Sequence, residues 1–104
     1  MKKHTVKLTE NAKEDILHQA KYYEEQQENL GKDFLEKVEH TLQRIEENPE
    51  QFPKIYRKVR SAIVNKFPHK VLFVVEKIDA IVIAVFHQKK NPKSLKERIT
   101  KTKK

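Results

Sequence analysis

Residues 60–92, RSAIVNKFPHKVLFVVEKIDAIVIAVFHQKKNP, decide the fold. Two runs rich in Val and Ile, residues 71–76 and 81–86, are bounded by Phe67-Pro68-His69 on one side and by His87-Gln88-Lys89-Lys90-Asn91-Pro92 on the other. β-branched residues without helical caps predict strands, and the short gaps between them predict hairpins. Val71, Phe73 and Val75 fill one face of the first run, with Leu72 and Val74 on the other. Ile81, Ile83 and Val85 alternate with Val82, Ala84 and Phe86 in the second. Strands apolar on both faces belong in the middle of a sheet. Residues 55–64 predict a third strand.

Towards the N-terminus the period changes. Val6 and Leu8 alternate within residues 4–8, the mark of a short half-buried strand. Thr9 then offers an N-cap hydroxyl, with Glu10, Glu14 and Asp15 near the positive end of the helix dipole. Ala12, Ile16, Ala20 and Tyr23 form the apolar stripe of a helix over residues 10–27. Gly31, the only glycine, predicts a tight turn into a second helix over residues 32–47, striped by Phe34, Leu35, Val38, Leu42 and Ile45. Asn48-Pro49 stops that helix, and residues 50–54 read as irregular loop. After Pro92, residues 93–99 predict a short helix, and residues 100–104 a frayed basic tail.

The order strand, helix, helix, three strands predicts an α+β domain spanning residues 1–104. An antiparallel two-helix hairpin covers one face of a twisted antiparallel sheet of about four strands, and the other face stays open. With no cysteine, the 104-residue chain has neither disulfides nor thiolate metal sites. The basic start Met1-Lys2-Lys3-His4 is followed by alternation instead of a signal peptide's apolar stretch, and the longest apolar run, residues 80–86, falls far short of the roughly 20 residues that span a bilayer. A cytoplasmic protein without a membrane partner is expected.

Charge is divided unevenly. Residues 1–53 carry 8 Lys or Arg against 12 Asp or Glu, whereas residues 54–104 carry 15 against 3. Such a field favours a polyanion or an acidic protein as partner. Lys54, Arg57, Lys58 and Arg60 read as a basic strand, with Lys58 and Arg60 on the same side. Arg60 could grip phosphate or carboxylate with two parallel hydrogen bonds, and the alternative is an edge strand kept apart by its charges. His87 could act as acid or base near neutral pH, with Lys90 neutralising developing charge. A hydrogen bond that fixes the following loop is the commoner job for such a histidine. His69 reads as a turn residue, and His4, His18 and His40 as surface positions; no spacing suggests a metal. Of the adjacent Tyr22 and Tyr23 only one can pack inward, which leaves Tyr22 at the rim of a groove. One glycine excludes a phosphate-cradling loop, and no cofactor is expected.

Several of these residues together resemble a family. Leu8-Thr9, Ala12, Asp15-Ile16, Tyr22-Tyr23, Gly31 with Phe34-Leu35, Asn48-Pro49, Phe52-Pro53, Arg60, Phe67-Pro68, and Val85-Phe86-His87 with Lys90 and Pro92 resemble, in order and spacing, the RelE/ParE superfamily of toxins from bacterial type II toxin–antitoxin systems, also described as plasmid stabilisation proteins. The resemblance implies a growth-inhibiting toxin bound by a cognate acidic-tailed antitoxin, with the helix pair and a sheet edge supplying the groove. It also implies one of two targets: DNA gyrase, as for ParE-like members, or messenger RNA cut on the ribosome, as for RelE-like members. Lys54, Arg57, Lys58, Arg60 and Tyr22 would then bind target or antitoxin, and Arg60, His87 and Lys90 are the candidates for catalysis. The family usually carries arginine at the position of Lys90 and, in its nucleases, an aromatic residue or histidine near the C-terminus. Here Tyr, His and Trp are absent after Pro92. That favours the gyrase-directed or non-nucleolytic mode; whether the chain is an enzyme stays open. A non-toxic basic module binding nucleic acid or protein is the remaining alternative.

Overall fold

Thr9 starts the first helix as its side chain predicts. Its Oγ1 accepts the Ala12 N–H at 3.1 Å, satisfying one donor of the first turn. In the computed structural model, which describes residues 4–90 and 92–102, the chain runs β1 (Thr5–Leu8), α1 (Glu10–Gln26), α2 (Leu30–Glu47), a 3₁₀ turn (Pro49–Gln51), β2 (Lys54–Tyr56), β3 (Val59–Ile63), β4 (His69–Glu76), β5 (Asp79–His87) and α3 (Pro92–Thr102). Met1–Lys3, Asn91 and the end of the basic tail, Lys103 and Lys104, lie outside the described residues.

The strands form one five-stranded sheet in the order β1-β5-β4-β3-β2. The last two strands are central, as their two apolar faces require. Two features depart from the sequence reading. First, the sheet is mixed: β1 pairs parallel with β5. A chain that reverses at each of the six connections between β1 and β5 ends in its starting direction. Second, residues 55–64 do not form one strand. The chain reverses at Arg57-Lys58, where Tyr56 pairs with Val59 and Arg57 takes φ 52°, so the segment gives two strands of a hairpin.

Gly31 is not the turn residue. The left-handed position between the helices is Asn29, at φ 71°. Gly31 is the second residue of α2 and is buried, and a Cβ there would collide with the Ala20 carbonyl and crowd the Glu24 side chain. Its missing side chain lets two helix backbones approach closely. Glu24 replaces the absent Asn29 cap: its carboxylate accepts the Asn29 N–H at 2.8 Å and the Gly31 N–H at 3.0 Å.

The main core lies between the helix pair and the sheet, where Ala12, Ile16, Phe34, Val38 and Ile45 meet Val71, Phe73, Val82 and Val85. Phe34 is fully buried, and Phe34→Ala is worth about 4 kcal/mol of stability at such a site. Leu35, read as part of the stripe, is exposed, and Thr41 takes the buried position instead, its hydroxyl donating to the Lys37 carbonyl. The second sheet face is not open. α3 lays Leu95 and Ile99 on Val59, Leu72, Ile83 and Phe86. The strict alternation read for residues 81–86 breaks at Ile83, because Leu72 pairs with Ala84 and Phe73 with Val82. This extra residue moves Val85 to the helix side with Val82, leaving Ile83, Ala84 and Phe86 under α3.

Candidate functional site

The basic strand read from Lys54 to Arg60 is not a single array. A bulge between Lys54 and Tyr56 turns them to opposite faces. Lys54 lies across from Arg60, which pairs with Phe73 of the main core, whereas Tyr56 pairs with Val59 on the α3 side. Lys58 lies in the turn, not beside Arg60 on a strand face. Arg60 is half-buried, and its Nη1 donates to the carbonyls of Phe52 at 2.6 Å and Glu50 at 3.4 Å. The guanidinium thereby satisfies one carbonyl of the 3₁₀ turn and one just after it, and draws that loop onto the sheet edge.

His87 ends β5, exposed. Its Nδ1 accepts the Lys89 N–H at 3.0 Å and its carbonyl accepts the Lys90 N–H at 2.9 Å, so ring and backbone together close the turn that follows. Accepting at Nδ1 leaves the neutral ring's proton on Nε2. The His87 ring stands edge-on to that of His69, its cross-strand partner, with centroids 5.3 Å apart.

His69 is not a turn residue. It opens β4, is 1% exposed, and is enclosed by the rings of Tyr23 (5.8 Å) and Phe34 (5.2 Å) as well as His87. Among the described residues, neither of its ring nitrogens has a hydrogen-bond partner. Burial, and secondarily the neighbouring His87, lowers its pKa from 6.5 to about 4. The signal was in the alternation: His69, Val71 and Phe73 share one face of β4, and Pro68 interrupts the chain only before it. Burial also raises the pKa of Tyr23, which packs inward against Phe34 and Phe67, with Tyr22 adding to the shift. Tyr22 stays half exposed, edge-to-face on Tyr23.

Lys90 projects to the other side of the sheet, its Nζ 4.9 Å from the centre of the Phe86 ring beneath α3. Arg60 pairs with Phe73 and Phe73 with Val82, so His87 lies two strands across and further along. At about 3.4 Å per residue and about 4.8 Å per strand, the two backbones are more than about 15 Å apart. Arg60, His87 and Lys90 therefore do not converge.

The edge of β3 beyond β2 holds a groove of about 480 Å³ lined by Arg44, Phe52, Ile55, Ser61, Ile63 and Lys70, among others. Ser61 N–H reaches the Pro53 carbonyl, but nothing pairs with the next outward residue among the described residues. Val64 N–H donates inward to His69, so the N–H and C=O of Ile63 point out of the sheet. Ile55 and Ile63 are both exposed there. Among the described residues, no group of histidines and acids could hold a metal ion, and no helix is long and apolar enough to cross a membrane.

Comparison with known proteins assigns this architecture. A family model described as the ParE toxin of type II toxin–antitoxin systems, parDE, matches residues 6–92. Among solved structures, the chromosomal ParDE toxin–antitoxin system from P. aeruginosa shares the fold with a TM-score of 0.67, at 14% identity, over 81% of this chain and 95% of that one. No curated protein sequence matches. With the match running from β1 to the start of α3, the chain belongs to the ParE toxin family and is the toxin component of a type II toxin–antitoxin system.

Proposed function

We propose that this toxin acts on DNA gyrase and does not cut messenger RNA. The dispersal of the three candidate catalytic side chains carries this reading. General acid–base chemistry needs its groups within hydrogen-bond reach of one reacting site. Arg60 is engaged with two backbone carbonyls, His87 with its own loop, and Lys90 with the opposite face of the sheet. Purified protein added to gyrase should suppress supercoiling and leave double-strand breaks, while messenger RNA on translating ribosomes stays intact. Cut messenger RNA with normal supercoiling overturns the proposal.

The cognate antitoxin, in this reading, lays an extended acidic segment along the free edge of β3. The outward backbone groups of Ile63 offer strand pairing, Ile55 and Ile63 offer apolar seats, and Arg44 and Lys70 supply positive charge at the rim. Combining Ile63→Lys with Lys70→Glu should leave growth arrest intact and remove its rescue by the antitoxin. Rescue equal to wild type rules out this groove.

A further inference from the structure

The face under α3 carries a second pattern, which adjoins the β3 groove at Ser61, Ile63 and Lys70. The Arg57 guanidinium carbon lies 5.3 Å from the centre of the Tyr56 ring, and the Lys96 ammonium lies 5.7 Å from the same ring. Two cations from separate elements, the β2–β3 turn and α3, thus meet on one half-buried aromatic side chain. Lys90 sits on a second ring, Phe86, in the same manner. Aromatic seats hold the apolar stems down and leave the charged ends towards water.

One acid, Glu97, lines the hollow beside Lys90 and Phe86, but it forms no ion pair with the cations of this face. Arg57, Lys58, Lys89, Lys90 and Lys96 are all exposed, and none reaches a carboxylate within ion-pair distance among the described residues. Only three acids follow Pro53, and one of them, Asp79, is paired with Lys7 at 3.3 Å. The two aromatic seats are well separated. Phe86 pairs with Lys70 and Lys70 with Ile63, while Tyr56 pairs with Val59, so the seats lie three strands and four residues apart. That diagonal is roughly 20 Å at standard strand spacing, a length over which one DNA strand presents about six phosphates.

We propose that this face binds duplex DNA through its phosphate backbone; it adjoins the antitoxin groove, because Lys70 and Ile63, which line that groove, lie on the same side of the sheet between the two aromatic seats. A set of exposed point charges spread over about 20 Å suits a polyanion of regularly repeated charge, whereas one acidic segment would neutralise only one end of it. Contacts to the phosphate backbone carry no sequence information, so this mode of binding is independent of sequence. The inference does not depend on which target the toxin poisons.

Fluorescence anisotropy with a labelled 20-base-pair duplex tests it, between about 50 and 200 mM salt. Log affinity should fall linearly with log salt, with a slope near −4 for four to five phosphate contacts. The double variant Arg57→Ala with Lys96→Ala should bind at least tenfold more weakly and lose about 1.8 from that slope, at about 0.9 per contact. Lys21→Ala, on the exposed side of α1, should bind as wild type does. Circular dichroism shows that each variant is folded. Failure to bind at 50 mM salt, or an unchanged slope in the double variant, overturns the proposal. Equal or tighter binding of poly-glutamate also overturns it and makes the face a docking surface for acidic protein.

Discussion

Asp15 on α1 and Arg98 on α3 are joined by two hydrogen bonds, Nη1 to Oδ2 at 2.8 Å and Nη2 to Oδ1 at 3.2 Å, although their helices pack on opposite faces of the sheet. The pair meets at the edge of β5, where β1 has stopped: the ladder ends with Leu8 opposite Val82. Beyond it the Asp15 carboxylate accepts the Val85 N–H at 3.0 Å, and the Arg98 guanidinium donates to the Ile83 carbonyl at 3.0 Å. Two side chains thus do what a longer β1 would do, and they tie α3 down in the process. Asp15→Ala should cost about 3 kcal/mol, because it takes the carboxylate from a partly buried guanidinium and the acceptor from a backbone N–H. Removing Arg98 as well should recover part of that loss. Urea denaturation of the two single variants and the double variant measures the coupling; strictly additive losses would show that the pair contributes nothing jointly.

The helix hairpin makes a sharper prediction. Gly31→Ala drives a methyl group into the Ala20 carbonyl, a backbone atom that cannot rotate away, and should cost about 2 kcal/mol or more. Asn29→Gly, two residues earlier, relieves a left-handed non-glycine and should change stability by less than about 1 kcal/mol. Thermal melts of both decide whether close approach or turn geometry is the constraint here. If Asn29→Gly stabilises strongly while Gly31→Ala is neutral, turn geometry is the constraint.

The elements that periodicity controls were legible in the sequence. The Thr9 cap, the Ala12-Ile16-Ala20 stripe and the central position of β4 and β5 each follow from local pattern. Three other features leave no such local pattern. Asp15 reads as one more acid near a helix start, and only Arg98 and Val85, 83 and 70 residues away, reveal its work. The Ile83 bulge leaves no mark in a run where every residue is apolar, so a period-2 reading assigns half of it to the wrong face. Arg57-Lys58 contains no Gly, Asn or Asp, so the hairpin that divides residues 55–64 carries no ordinary turn signal. That division takes the candidate site apart, because Lys58 and Arg60 share a side only along one continuous strand.

Arg60 is the candidate whose role changes most. Its two carbonyl contacts make it a clamp on the loop after α2, so Arg60→Ala should lower stability by about 1 to 3 kcal/mol. At a temperature where the variant stays folded, growth arrest on induction should persist. Lost toxicity in a variant of unchanged stability would return Arg60 to a direct role in target recognition.

His69 gives the chain a specific sensitivity to acid. Protonation would create a charge among the rings of Tyr23, Phe34 and His87, where both nitrogens lack partners, and so the folded-state pKa sits at about 4 against 6.5 in the unfolded chain. As pH falls below 6.5 the unfolded chain takes up a proton that the folded chain refuses, so stability is fully present above about pH 6.5 and declines from there. The decline ends near pH 4, where the folded state is protonated too, and over that window it totals about 3 kcal/mol at 1.36 kcal/mol per pKa unit. Other groups add their own slopes, so the informative quantity is the difference between wild type and His69→Leu in urea denaturation at successive pH values. Leucine keeps the volume and has nothing to protonate; its advantage over wild type should therefore grow by about 3 kcal/mol between pH 7 and pH 4. A difference that stays flat across that range would mean that the His69 ring has a hydrogen-bonding partner in solution, and would remove this histidine as the source of acid sensitivity.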